Sequence, residues 1–305
     1  MNKISDVIES IPLAKLRELR DQITHRYKTK KQKGIVSVEE AIAYLAFRSP
    51  ATTAVQERVF KEFLDSNFTP QTMVDLGAGP GLSYENALCR FPSIQTYIGI
   101  EENPYMIDIG KKLNNKIDWI QQSYLNTDIP KADLVLGSYT FSELGEPSLI
   151  TALEKAWQAA QDCLVIIEPG TPEGFQTILK CRDFLIENGG CIYAPCGHNG
   201  ACPINPKNDW CHFSQRLERT KLHRAMKAGS LPYEDEKYCY LIATKENWNP
   251  DYKRILRPPV SRKGHITLDL CAPKEMDSNV YTKSKNKDFK TIKKLGWGDR
   301  LKSPE

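Results

Sequence analysis

Long apolar runs are missing from this sequence of 305 residues, and without one no membrane-spanning helix is predicted. The opening stretch MNKISDVIESIPLAKLRELR interleaves apolar residues with charge, which excludes a secretory signal, and its Asp6 and Glu9 disfavour an acid-poor transit peptide. These absences predict a cytoplasmic protein with no membrane partner. Nine cysteines in a chain predicted to be cytoplasmic do not indicate a disulfide framework. No C-x2-C pair is present, so a tight zinc knuckle is not expected.

Negative charge is scarce toward the C-terminus. Residues 251–305 contain 14 Lys and Arg against 7 Asp and Glu, a net charge of +7, while the whole chain carries +4. The remaining residues therefore carry −3 by difference. A basic end beside a slightly acidic body predicts a polyanionic partner such as a nucleic acid. The alternative is a solvated, lysine-rich tail that only improves solubility.

Helical and strand patterns divide the chain into parts. Residues 1–66 predict helices, because the stretch LAKLRELRDQITHRY places its apolar residues on one stripe: Leu13, Leu16, Leu19 and Ile23. Ser37 precedes Glu40 at the spacing of a capping box. From Thr72, the apolar runs TMVDLG, TYIGIEE, ADLVLGSY and CLVIIEPG alternate with helical patterns, which predicts an α/β fold with a parallel sheet. KYCYLIATK and GHITLDLCA predict two late strands. One arrangement for them is an antiparallel hairpin that closes the same sheet.

A glycine loop, MVDLGAGPG, follows the first predicted strand. Its glycines allow a ligand to approach the backbone closely: Gly77, Gly79 and Gly81. Leu82 stands where a dinucleotide-binding fingerprint has its third glycine, which disfavours NAD. Asp75 precedes the loop, and Glu101 ends the next strand, where a carboxylate can accept both ribose hydroxyls. This combination resembles a class I S-adenosylmethionine-dependent methyltransferase.

That resemblance implies a cofactor site. The glycine loop, with Asp75, would lie against the amino-acid part of S-adenosylmethionine, and Glu101 would hold the ribose. Gln122 and Ser123 would border the adenine, although the acid usually found at that place is absent. The alternative is a glycine turn in an unrelated α/β sheet.

No catalytic residue is predicted. The stretch GSYTFSEL after the fourth strand contains neither Asn/Asp-Pro-Pro-Tyr nor Pro-Cys, the motifs of two groups of nucleic-acid methyltransferases. Tyr139, Ser142 and Glu143 are its polar candidates, and helix capping is an equally good interpretation of them. Glu168, in EPGTPEGF, is predicted either to line the substrate cleft or to support a strand end, with Thr171 capping the next helix.

Three cysteines lie in one irregular stretch, APCGHNGACPINPKNDWCHFSQR, as C-x5-C-x8-C. Such wide spacing suits an iron–sulfur cubane, whose thiolates surround a larger object than a single ion. Cys271, at the end of a late strand, is a candidate fourth ligand to Cys196, Cys202 and Cys211. His198 and His212 keep zinc open as an alternative, and reduced buried thiols are a third interpretation.

Several stretches together resemble one family in its own order: AYLAFRSPAT, VDLGAGPG, IEPGTPEGF, APCGHNGACP, DWCHFSQR, YEDEKYCYL, LDLCAP and GWGD. It is the methyltransferase-like family associated with the mitochondrial ribosomal small subunit, with its bacterial relatives. The resemblance implies a class I methyltransferase (Rossmann-like) sheet with a helical N-terminal part, a Cys-rich iron–sulfur insertion and a basic C-terminal extension. It implies a [4Fe–4S] cluster on four cysteines, namely Cys196, Cys202, Cys211 and Cys271. It also implies the small ribosomal subunit and its 16S-type rRNA as partners.

The predicted function is therefore an S-adenosylmethionine-binding, [4Fe–4S]-containing methyltransferase-like protein that acts on or with small-subunit rRNA in assembly or translation. The alternatives are a non-catalytic assembly factor on the same fold and a small-molecule methyltransferase. Three regions are predicted: helices over 1–66, a cofactor domain over 67–250 with a Cys-rich loop at 191–216, and a late strand with a basic extension over 251–305. Target nucleotide, acceptor atom, turnover and oligomeric state are left open.

Overall fold

The N-terminal part of the computed structural model is helical. The structure describes residues 3–29, 34–227, 231–248 and 251–302, so the predicted region limits at residues 1, 250 and 305 lie outside the described residues. The helices are α1 (Lys3–Glu9), α2 (Leu13–Thr29), α3 (Val38–Phe47) and α4 (Ser49–Phe60). The hydroxyl of Ser37 accepts a 3.2 Å hydrogen bond from the Glu40 N–H, which confirms the predicted cap of α3. No helix within the described ranges is both long and apolar enough to cross a membrane.

The apolar stripe of α2 packs these helices together. Leu16, Leu19 and Ile23 are buried, whereas Leu13, at the start of the predicted stripe, is 36% exposed. The stripe shares one core with α3 and with Met106 of the helix α6 (Pro104–Leu113). The helices α2 and α3 therefore pack against α6, a helix of the α/β part of the chain.

Alternating strands and helices build the main sheet. Its strands are β1 (Thr72–Leu76), β2 (Thr96–Ile100), β3 (Asp118–Ile120), β4 (Ala132–Ser138), β5 (Ala160–Pro169), β6 (Cys191–Ala194), β7 (Phe213–Glu218) and β8 (Tyr233–Thr244). The intervening helices are α5 (Ser83–Arg90), α6, α7 (Glu146–Ala159), α8 (Pro172–Glu187) and α9 (Lys221–Lys227).

The order of the main sheet is β3-β2-β1-β4-β5-β8-β6, with β7 paired to β8. Strands β1 to β5 are parallel to one another, and β8 is inserted antiparallel between β5 and β6. A parallel, doubly wound sheet with one antiparallel strand in this place is the class I methyltransferase arrangement. The predicted parallel sheet is found in β1 to β5, and the predicted late strand KYCYLIATK lies beside them as the antiparallel β8.

A second sheet forms from the basic C-terminal residues. It contains β9 (Tyr252–Ile255), β10 (Val260–Arg262), β11 (His265–Ala272), β12 (Glu275–Thr282) and β13 (Arg300–Lys302), with the short helix α10 (Phe289–Ile292). The expected hairpin between the two late strands is wrong, because β8 and β11 lie in different sheets. Ile266, Leu268 and Leu270 of β11 are buried against α10, which gives this sheet a core of its own.

A buried ion-pair network joins the two sheets and the N-terminal helices. Arg254 of β9 donates to both carboxylate oxygens of Glu62, at 3.0 and 2.8 Å. The same guanidinium donates through Nε to the carbonyl of Pro195, at 2.8 Å. Glu62 follows α4, and Pro195 begins the cysteine-rich stretch. The network therefore holds that stretch against both sheets.

Candidate functional site

The glycine loop after β1 takes a backbone shape that other residues rarely adopt. Gly77 and Gly79 have φ of +64° and +55°. A Cβ added at Gly77 would lie 2.6 Å from the Thr140 Oγ1, whereas one at Gly79 would meet nothing within 4 Å. The loop is thus packed on one side at Gly77 and open on the other at Gly79.

Glu101 faces this open side from the end of β2. Its Oε2 accepts from the Gly79 N–H and its Oε1 from the Asn103 N–H, both at 2.8 Å. Burial raises the pKa of Glu101 although these two donors oppose the shift. Each carboxylate oxygen retains a further lone pair. The side chain is therefore fixed in place and can still accept hydrogen bonds from a ligand such as a ribose.

A cavity of about 380 Å³ lies at the carboxyl ends of β1 to β4. The structure brings five of the predicted cofactor residues together in its wall: Gly77, Gly79, Glu101, Gln122 and Ser123. Ligands of open α/β sheets bind at this end of the strands. The geometry therefore provides a pocket where the sequence predicted one.

Two predicted cofactor residues lie outside the wall of this cavity. Gly81, with φ of +72°, is packed against Trp119 and Ile117, where a Cβ would lie 2.5 Å from the Ile117 Cδ1. Asp75 is 1% exposed and accepts a 2.7 Å hydrogen bond from the Tyr97 hydroxyl. Burial raises the pKa of Asp75 to about 7, and Asp75 lines a smaller adjoining cavity.

The N-terminal helices supply one part of the pocket wall, and the sequence patterns did not reveal this part. Tyr27 of α2, Tyr44 of α3 and Thr52 of α4 line the large cavity. The Asn103 side-chain amide, close to Glu101, donates to the Ile35 carbonyl at 2.7 Å. This hydrogen bond joins the N-terminal region to the end of β2. The stretch AYLAFRSPAT, which contains Tyr44 and Thr52, was the available signal, but its periodicity indicates only a buried helix.

Polar residues after β4 divide into two groups. Tyr139 and Glu143 line the cavity, and Tyr139 holds φ of +59° with the Arg48 guanidinium 4.9 Å from its ring centroid. Strained backbone of this kind often occurs at functional sites.

Ser142 and Glu168 have an internal role instead. The Ser142 hydroxyl donates to Glu168, whose other oxygen accepts from the Phe141 N–H at 2.8 Å. Glu168 is fully buried, and burial raises its pKa to about 7, so it supports a strand end and does not line the cleft. Thr171 caps α8 by accepting from the Gly174 N–H at 3.1 Å, as expected.

The four predicted metal ligands meet at a second place. A cavity of about 30 Å³ with an almost wholly apolar wall has four cysteines on it: Cys196, Cys202, Cys211 and Cys271. Cys239 of β8 also lines it, and its position in a regular strand gives no signal of this in the sequence. No group of three or more His, Cys, Asp or Glu in the described part of the chain is arranged to hold a single metal ion.

Charged and imidazole groups surround these thiols. A hydrogen bond with the Cys271 thiol lowers the pKa of Cys196 to about 6, and the Arg182 guanidinium adds to this effect against burial. Arg182 is 3% exposed and donates to the Gly200 carbonyl at 2.6 Å within the cysteine-rich stretch. His198 approaches the Cys271 Sγ at 3.4 Å. His212 is stacked on the Trp210 ring, with centroids 5.0 Å apart.

The sequence and the fold of this chain are similar to those of known proteins. The family described as "Mitochondrial small ribosomal subunit Rsm22" matches residues 38–302. Rsm22-cox11 tandem protein 2, mitochondrial, of Schizosaccharomyces pombe is 26% identical over 77% of this chain and 39% of its own length. Ribosome assembly protein METTL17, mitochondrial, of Homo sapiens is 24% identical over 98% of this chain and 69% of its own. The structure of magnesium protoporphyrin IX methyltransferase from Synechocystis with bound SAM has a TM-score of 0.42 and 13% identity, covering 73% of this chain and 91% of that one.

These comparisons correct the predicted localisation and confirm the family resemblance. The prediction of a cytoplasmic protein is wrong, because the curated relatives are mitochondrial proteins. The chain spans about 39% of the length of the tandem proteins it matches. The family resemblance is confirmed, since the family model matches residues 38–302, which include the glycine loop and the four cysteines of the small apolar cavity. This chain belongs to the Rsm22 family of the mitochondrial small ribosomal subunit.

Proposed function

We propose that this chain is a mitochondrial protein that binds S-adenosylmethionine and a [4Fe–4S] cluster and acts with the small ribosomal subunit and its RNA in assembly. The observation that carries the proposal is the large cavity, where Gly79 and Glu101 present a backbone edge and a carboxylate at the carboxyl ends of the strands. The mitochondrial and ribosomal parts rest on the named relatives.

Donor binding would use the residues of this cavity in distinct roles. Glu101 would accept the ribose hydroxyls, and Gln122 and Ser123 would border the adenine. When bound, S-adenosylmethionine supplies an electrophilic methyl group. Tyr139 and Glu143, the polar residues after β4 that face the cavity, would orient an RNA acceptor there.

A non-catalytic assembly factor on the same fold is the second candidate. One observation favours it: Ser142 and Glu168, two of the polar groups near β4, are hydrogen-bonded to each other and support the turn after that strand. The relatives in Homo sapiens and Saccharomyces cerevisiae are likewise named ribosome assembly proteins.

Four cysteines on the wall of one cavity support the proposed [4Fe–4S] cluster. Thiolates of Cys196, Cys202, Cys211 and Cys271 would hold it inside an apolar wall. The buried guanidiniums of Arg182 and Arg254 line the same cavity and would offset the negative charge of four thiolates and the cluster. The cluster would supply iron–thiolate bonds that join the irregular loop to β11.

RNA contact would involve the basic C-terminal region. Exposed lysines cluster at the end of β12 and around α10: Lys283, Lys285, Lys287, Lys290, Lys293 and Lys294. Within these twelve residues Asp288 is the single acid. Such a group of cations attracts a phosphate backbone and makes binding sensitive to salt.

Donor binding and methyl transfer are tested in one series. Calorimetry should detect S-adenosylhomocysteine binding to the wild type and lose it in Gly79→Arg, whose side chain would enter the cavity. Radiolabelled donor is then incubated with small-subunit precursors. Label on the rRNA supports the enzyme, binding without label supports the assembly factor, and no binding to wild type contradicts the proposed cofactor.

Anaerobic purification tests the cluster. The wild type should be brown and absorb at about 400 nm, as expected for thiolate-bound iron–sulfur clusters. Cys196→Ser should lose the colour, whereas Cys89→Ser, a matched change at an exposed free cysteine, should keep it. A colourless wild type from iron-replete, oxygen-free cells would contradict the assignment.

A further inference from the structure

Strand β12 lies at an edge of the second sheet. In the described part of the chain it pairs with β11 and with no other strand. The register is unbroken from the pair His265 and Thr282 to the pair Ala272 and Glu275. The sequence of β12, EMDSNVYT, contains neither proline nor lysine. Bulges, prolines and lysines are common means by which soluble proteins prevent an edge strand from pairing with another chain, and β12 has none of them.

The outer side of β12 carries unpaired backbone groups. The Lys283 N–H, just after the strand, donates to the Gly264 carbonyl at 3.0 Å, on the β11 side. Because successive residues of an antiparallel strand turn their backbone groups to opposite sides, alternate residues face outward. Thr282 is one of them, but its N–H donates to the Asn286 Oδ1 at 2.8 Å and its carbonyl accepts from the Asn286 N–H at 3.0 Å. Among the described residues, three outward positions have no backbone partner: Met276, Ser278 and Val280.

Two of these three positions also have exposed apolar side chains. Val280 is 60% exposed and Met276 is 44% exposed. Both lie on one face of β12, because side chains of a strand alternate. On the same face Val280 stands opposite Thr267, which in turn stands opposite Val260, another exposed apolar residue. Single exposed apolar residues are ordinary, but these two adjoin unpaired backbone groups.

An identical strand satisfies all three outward positions in one antiparallel register. A two-fold axis at Ser278 sets Met276 of each copy opposite Val280 of the other, so the two apolar side chains pack together twice. The three outward positions then exchange their N–H and C=O groups across the axis. An axis at Asn279 would instead set Met276 opposite Thr282, whose backbone groups are already hydrogen-bonded.

The charges of the strand agree with the register centred on Ser278. Glu275 would lie diagonal to Lys283 of the second copy, which brings opposite charges together at both ends. Asp277 would stand opposite the neutral Asn279. No like charges face each other, so the edge is complementary to itself in backbone groups, apolar side chains and charge.

We propose that β12 is a self-association edge, which pairs antiparallel with β12 of a second copy of this chain about a two-fold axis at Ser278. An interface of one strand pair is small, so the dimer is weak and reversible, with a dissociation constant of roughly micromolar or higher. Neither the methyl donor nor the cluster enters this inference.

Analytical ultracentrifugation of the full chain tests the dimer and its register. Between about 1 and about 200 µM, the wild type should pass from monomer to dimer. Val280→Lys should raise the dissociation constant roughly tenfold or more, because the symmetry places the added charge in the interface twice. Met276→Glu combined with Val280→Lys sets opposite charges across both pairs and should recover the wild-type affinity to within roughly threefold. Leu64→Lys, at a residue 66% exposed outside the second sheet, is the matched control, and thermal melting checks the fold of each variant.

Four outcomes overturn the inference in distinguishable ways. A wild type that stays monomeric up to about 200 µM removes the dimer. A dimer that Val280→Lys leaves as tight as wild type uses another surface. A double variant no tighter than Val280→Lys contradicts the register centred on Ser278. A monomeric wild type whose binding to small-subunit precursors is lost in Val280→Lys and kept in Leu64→Lys assigns the edge to a different partner.

Discussion

Replacing Arg254 by methionine should destabilise the protein strongly, because it would leave a carboxylate charged in the interior. Arg254 is 1% exposed and Glu62 is 4% exposed, and two parallel hydrogen bonds of 3.0 and 2.8 Å join them. Arg58 and Arg300 also contact Glu62, at 3.0 and 2.7 Å, and would remain in the variant. The variant thus removes the most buried of the three partners.

The size of the effect follows from the pKa of Glu62. Burial alone would raise this pKa, but Arg254, Arg300 and Arg58 outweigh burial and lower it from 4.5 to about 2. At about 1.4 kcal/mol per pKa unit, the ionised form is favoured by about 3 kcal/mol in the folded state at neutral pH. Removing one partner of a buried pair costs roughly 3–5 kcal/mol, and since two arginines remain we expect about 3 kcal/mol. The Tm should fall by roughly 6–12 °C.

The assay is thermal and urea unfolding of Arg254→Met beside a matched surface variant. Arg216 and Asp235 also form two parallel hydrogen bonds, both 2.7 Å, but their side chains are 62% and 41% exposed. Water and salt screen such a pair, so Arg216→Met should leave the Tm close to wild type. If the two variants lower the Tm equally, or Arg254→Met lowers it by less than about 2 °C, the reasoning is refuted.

The pH dependence provides an independent check on Glu62. A carboxyl whose pKa is depressed on folding stabilises the protein above its unfolded pKa and loses that contribution as pH falls through its folded pKa. For Glu62 this window runs from 4.5 down to about 2. The stability difference between wild type and Glu62→Gln should therefore be constant at neutral pH and shrink across that window.

Two further predictions concern the buried Asp75 and the basic surface. The pKa of buried Asp75 is raised from 3.8 to about 7, so its ionisation should destabilise the protein as pH rises through that window. Asp75→Asn cannot ionise, so between pH 4 and pH 8 its free energy of unfolding should rise by a few kcal/mol relative to that of wild type, roughly the value of a three-unit pKa shift. Denaturant unfolding at a series of pH values measures this difference. If the stabilities of variant and wild type change with pH in parallel, the prediction is contradicted. Lys290→Ala combined with Lys294→Ala should reduce the slope of log affinity for rRNA against log salt by roughly 1.5, while Lys180→Ala on α8 should not change it.

Local features of the site could be predicted from the sequence because they depend on neighbouring residues. The positive φ at Gly79 follows from a strand that turns sharply into a helix, and only glycine adopts it readily. Glu101 could be placed because it ends the next parallel strand, and such strand ends lie along one edge. Ser37 and Thr171 cap their helices as their spacing indicates.

Features that depend on contacts between distant residues could not be predicted from the sequence. In the sequence, Ser142 is a polar candidate with helix capping as an equal alternative, and Glu168 is predicted either to line the cleft or to support a strand end. Their 26-residue separation closes into a hydrogen bond inside the protein, which decides for the supporting role. His212 looks like a metal ligand but is stacked on Trp210. Strand β11 has the alternation of a sheet strand, and nothing local indicates that its partners form a second sheet.

The sequence by itself determined the alternating α/β order, the glycine loop, the acid after β2 and, through family resemblance, the set of four cysteines. Tertiary structure alone decided that these cysteines share a cavity, that Arg254 holds Pro195 against Glu62, and that α4 supplies Thr52 to the wall of the large cavity. The reason is physical. Backbone preference and turn chemistry act over a few residues, whereas burial brings together groups that are tens to hundreds of residues apart in the chain.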